Sequence, residues 1–115
     1  MYQSSYAEVM REAPEDTRGN ERRAFDEAIR LLTAAEAAGR ESRAAVEAIH
    51  YVRRLWTLLI QDLSSAGNDL PASLRANLIS IGIWTLREAD EIRMERSHNF
   101  RGLIEVNAMV QEGLR

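Results

Sequence analysis

Cysteine and lysine are both missing from this chain of 115 residues. Without cysteine there is no disulfide framework, no thiolate zinc site and no thiol nucleophile. Without lysine, fifteen arginines carry all the positive charge against eighteen acidic side chains, for a formal net charge of −3. That balance excludes a sequence-independent binder of nucleic acid or of anionic membranes, because such proteins hold phosphate through an excess of positive charge. Long apolar runs are also missing. No stretch reaches the roughly eighteen residues of a membrane span. The opening MYQSSYAEVMREA has neither a basic leader nor a continuous apolar segment, so no membrane insertion and a cytoplasmic location are expected. Nor does any segment alternate with period two, so no strand is expected.

What is present is helical periodicity, punctuated by two prolines and six glycines. Tyr2, Tyr6, Val9 and Met10 recur at i, i+4, i+7 and i+8, one face of a short helical arm over residues 1–13 that Pro14 ends. A polar linker follows over residues 14–20. Asn20 is placed to cap a first long helix, residues 20–38, whose Phe25, Ile29, Leu32 and Ala35 or Glu36 keep the 3.6 period until Gly39 stops it. Ser42 is placed to cap a second helix, 42–64, after a connection so short that the two helices fold back on each other. Pro71 suits the first turn of a third helix, 71–96, because its missing N–H would be unpaired there anyway. Phe100, Leu103, Ile104, Val110 and Leu114 mark a fourth, 99–113. The expected fold is all-α: one domain, a small antiparallel bundle of four main helices with a short N-terminal helical arm.

The constellations that could carry chemistry are few. Glu47 with His50 and Glu95 with His98 form two Glu-x-x-His units, the pattern that di-iron bundles use to hold a metal pair. However, Glu47 and His50 fall on the narrow polar arc of their helix with Arg54 and Gln61, and His98 falls in a polar break. Surface histidines are therefore the better reading. Glu88, Asp90, Glu91 and Glu95 alternate with Arg87, Arg93 and Arg96 at ion-pair spacings, as on a solvated helix face. Arg22-Arg23 and Arg53-Arg54, with Tyr51 and Trp56 nearby, could contact RNA, but the negative net charge favours ion pairs with Asp26, Glu27 or Asp62. No phosphate loop, nucleophile elbow or zinc-protease motif occurs. No enzyme activity, cofactor, metal site or direct RNA binding is expected.

The feature left over is an excess of apolar side chains on the two middle helices. At about 100° per residue, Val46, Ile49, Val52, Trp56, Leu59, Ile60 and Leu63 form one stripe, which Tyr51, Leu55 and Leu58 widen beyond half the circumference. On the third helix Leu74, Leu78, Ile81 and Ile92 lie on one side, Ile79, Ile83 and Leu86 on another, and Trp84 at the edge. A surface helix needs a stripe of only about 100°. Either the bundle covers both faces, or Tyr51, Leu55, Leu58, Ile79, Ile83 and Leu86 form a groove for an amphipathic helix of a partner.

Four segments together resemble a known family: MYQSSYAEVMRE at the start, RRLWTLLIQDL from Arg53, LPASLRANLISIGIWTLRE from Leu70 and NFRGLIEVN from Asn99. In this order they are similar to FlaF, a small flagellar biosynthesis protein, over nearly the whole chain. The resemblance implies a cytoplasmic factor for flagellin synthesis and secretion, a flagellin chaperone whose groove would receive a terminal segment of flagellin, working in partnership with FlbT. It also implies an alternative, regulation of flagellin translation with FlbT and no direct hold on flagellin. It assigns no individual binding residues.

Overall fold

Residues 17–113 are the part of the chain that the structure, a computed structural model, describes, with side chains from Glu21 onward. The expected arm over residues 1–13 lies outside the described residues. Those described form four helices: α1 (Thr17–Ala38), α2 (Arg43–Leu63), α3 (Ala72–Arg93) and α4 (Phe100–Glu112). The helix ends follow local chemistry. Gly39 takes φ 101°, a left-handed conformation that costs an L side chain about 1 kcal/mol or more, and its N–H donates to the Ala35 carbonyl at 2.8 Å. Ser42 is extended, and its Oγ accepts from the Ala45 N–H at 3.0 Å, so the expected cap of α2 is in place. Asn99 caps α4 in the same way, accepting from the Gly102 N–H at 3.0 Å.

Three boundaries differ from those expected. Asn20, expected as the cap, lies inside α1. Pro71 stands at the N-cap of α3 with ψ 146°, one position before the first turn. α3 stops at Arg93, where Glu95 adopts φ 65° and turns the chain toward α4.

The connections are short, so sequential helices run antiparallel. α1 packs on α2 and α4, α2 packs on α3, and α4 touches α3 only lightly. Ion pairs and hydrogen bonds fix the α1–α4 register: Arg101 Nη2 meets Glu36 Oε1 at 2.6 Å near one end, and Gln111 donates to the Arg22 carbonyl at 3.2 Å and to Asp26 near the other. Each helix contributes a stripe to the core at heptad-like spacing, Phe25, Ala28, Leu32 and Ala35 from α1 and Phe100, Leu103, Ile104, Asn107 and Val110 from α4. Trp56 of α2 is fully buried at the centre. Its ring meets Phe25 edge-on at 5.7 Å, and its Nε1–H reaches across the bundle to Asn107 Oδ1 at 2.9 Å.

α3 is the unusual member. The residues it buries are small: Gly82, Thr85 and Ala89, with Ile92 at the end. A Cβ at position 82 would lie 2.7 Å from Trp56 Cε3 and 2.8 Å from Ile60 Cδ1, so the close approach of α3 to α2 needs glycine there. With small residues facing α2, the larger aliphatic side chains of α3 are pushed to its flanks and outer surface. Ile83 and Trp84 are 42% and 39% exposed.

Candidate functional site

The connection from α2 to α3, the start of α1 and the end of α4 meet at one end of the bundle. Because α3 and α4 barely touch, that end is left open as a groove of about 540 Å³, within the roughly 300 to 1,000 Å³ usual for ligand sites. Its floor is core: Phe25 from α1 and Leu59 and Leu63 from α2. One wall is Leu70, Leu74, Leu78 and Ile81; the other is Met109 and Val110 of α4. At the mouth Leu74 is 43% and Met109 57% exposed, so apolar area is in contact with water. The rim is acidic, formed by Glu21, Asp62 and Asp69. Asp62 Oδ2 accepts from Asn68 Nδ2 at 3.4 Å, while its Oδ1 is closed off from water and accepts no hydrogen bond.

The groove is therefore not where the sequence put it. Leu55, expected on the docking face, is 6% exposed and belongs to the core. Tyr51, Leu58, Ile79 and Leu86 are half-buried and packed against that core, and only Ile83 of the six is open to solvent. Val46, expected in the core stripe, is 67% exposed, because α2 turns Ala45, Ala48 and Ile49 inward at that level instead. The physical reason on α3 is the small-residue seam. The 3.6-residue period set Leu74, Leu78, Ile81 and Ile92 on one side of this helix and Ile79, Ile83 and Leu86 on another, whereas Gly82, Thr85 and Ala89 are the residues it buries, and the leucines line the gap beside α4. The repeat Gly82-x-x-Thr85-x-x-x-Ala89 was the signal that could have shown this.

Compared with known protein families, residues 2–114 match the model of the flagellar protein FlaF. The chain belongs to the FlaF family. No curated protein and no solved structure matches it. Membership makes this a flagellar protein, and apart from Met1 the four segments that resembled FlaF fall within the matched range.

The other candidate groups of this FlaF-family chain lie apart from the groove. Glu47, His50, Glu95 and His98 are exposed, and among the described residues no group of three or more His, Cys, Asp or Glu side chains is placed to hold a metal. Asp90 meets Arg53 at 3.3 Å and Arg93 at 3.4 Å, joining α2 to α3, and Glu91 meets Arg96 at 2.8 Å. Arg53 thus pairs with Asp90, not with the Asp26, Glu27 or Asp62 expected. The hydrogen bond from Arg96 holds the Glu91 carboxyl below its ordinary pKa, and the one from Arg30 does the same for Glu27. Burial raises the pKa of the Tyr51 hydroxyl, which donates to the Ala24 carbonyl at 2.9 Å. Among the described residues no helix is long and apolar enough to cross a membrane.

Proposed function

We propose that this FlaF-family protein is a non-enzymatic flagellin chaperone and secretion factor of the cytoplasm. It holds an amphipathic terminal segment of flagellin, as a helix, in the groove between α3 and α4. The observation that supports this is the exposed apolar mouth of Leu74 and Met109 over a floor of Leu59 and Leu63, in a protein whose family is flagellar. Such a groove offers apolar anchoring without backbone pairing, the mode by which amphipathic helices are received. Each fully buried Leu or Ile of the guest contributes about 1.5 to 3 kcal/mol. Ordering of the guest segment offsets part of that and keeps the complex reversible, as release for export requires.

The test is calorimetric titration of the protein with full-length flagellin and with flagellin lacking either terminus. Binding should be lost with one truncation and should barely change with added salt, since apolar contacts are not screened. Leu74→Glu should abolish binding while leaving helix content unchanged, and Ile83→Glu, on the outer face of α3, should leave affinity as it was. Indifference to both termini would overturn the reading and favour action through FlbT or the flagellin messenger.

A further inference from the structure

The groove opens at the same end of the bundle as the start of α1: Glu21, in the first turns of that helix, lies on its rim. Sixteen residues precede Thr17, and they enter the described structure beside an apolar gap. We infer that the free chain covers this groove with its own N-terminal segment, seating the Tyr2, Tyr6, Val9 and Met10 face against Leu74, Ile81 and Met109.

Reach permits it. Residues 11–16 span up to about 20 Å when extended, and the groove begins within a few residues of where they end. Length matches as well. Read as a helix, Tyr2 to Met10 covers about 12 Å, and Leu74 to Ile81 on the wall covers about 10 Å. The apolar chemistry is complementary, an apolar stripe for an apolar wall. A second copy of the chain is the poorer occupant. A stable dimer face takes about 20 to 30 residues on each side, and fourteen of the described residues line this groove. Tethering gives the chain's own segment an effective concentration on the order of millimolar, which a separate molecule seldom reaches. If the groove also receives flagellin, as proposed above, this segment is the competitor that flagellin displaces.

The absence of native cysteine makes the test clean. A nitroxide spin label is attached to the full-length chain at Ser4→Cys, and NMR intensities are recorded with the label oxidised and reduced. Leu74, Leu78, Ile81 and Met109 should lose most of their intensity, Arg40 and Ser97 at the opposite end of the 39 Å long bundle should keep theirs, and tenfold dilution should change neither. Adding Val9→Glu to the labelled chain should restore the groove signals without altering helix content. Unperturbed groove signals, or losses centred on another face, would overturn the inference. So would losses at the groove when spin-labelled, unenriched chain is mixed with isotope-enriched chain, since the occupant is then a second copy. No flagellin enters the experiment, so its failure leaves the proposed function to be judged by its own titration.

Discussion

At the centre of the bundle a single polar pair is enclosed by apolar side chains. Asn107 accepts from the Trp56 indole and donates to the Leu103 carbonyl at 2.7 Å, so both members are satisfied in full burial. Asn107→Ala strands the indole N–H and opens a small cavity, which should cost about 2 to 4 kcal/mol in urea unfolding. The neighbouring Thr85 is the opposite case, since its buried Oγ1 has no hydrogen-bond partner. Thr85→Val keeps the shape and removes the stranded hydroxyl, and should raise stability by about 1 kcal/mol in the same assay. Gly82→Ala gains about 1 kcal/mol of helix propensity but drives a methyl into Trp56 and Ile60, so a net loss of about 1 to 2 kcal/mol is expected, with a shift in tryptophan fluorescence. Tyr51 adds a pH dependence. Because burial favours its neutral form, the raised pKa contributes stability that is complete below the ordinary tyrosine value of 10.0 and is lost as pH rises through the higher folded-state value. Tyr51→Phe should cost about 1 kcal/mol at neutral pH, and the unfolding midpoint of the variant should fall less steeply in alkali than that of the parent.

Among the elements, α1, α2 and α4 present apolar stripes at regular spacing and were legible from the residues alone, as were the stop at Gly39 and the cap at Ser42. The ends that moved, at Thr17, Pro71 and Arg93, depend on backbone angles that composition does not fix. The seat of α3 was misread for a physical reason. Burial there goes to the residues that let two backbones approach, and Gly82 and Thr85 carry little hydropathy to announce themselves. The candidate site moved with it, since Leu55 was assigned to an outer face and in fact belongs to the core. Leu55→Glu should therefore unfold the protein, costing on the order of 4 kcal/mol or more by burying an unpaired charge. Ile83→Glu should cost about 1 kcal/mol or less. Circular dichroism melts of the two variants decide between core and surface for these positions.

Over the whole molecule, 39 Å long and about 25 Å across, the two ends are built differently. At the end holding the α1–α2 and α3–α4 connections, Arg40 of one loop donates to the Ser97 carbonyl of the other at 3.4 Å, and the caps of α2 and α4 stand close by. The opposite end has the groove, and α3 enters it from Pro71 with no side-chain cap. Every fully buried residue of α3 lies at or beyond Gly82, so its first ten residues are held by half-buried contacts alone. With so little burial, the amides of those turns should trade hydrogen for deuterium well before those of α2. Were the proposed guest to widen the cleft, only the leading turns of α3, ahead of the glycine seam, would have to yield, and the tryptophan-centred remainder could stay shut.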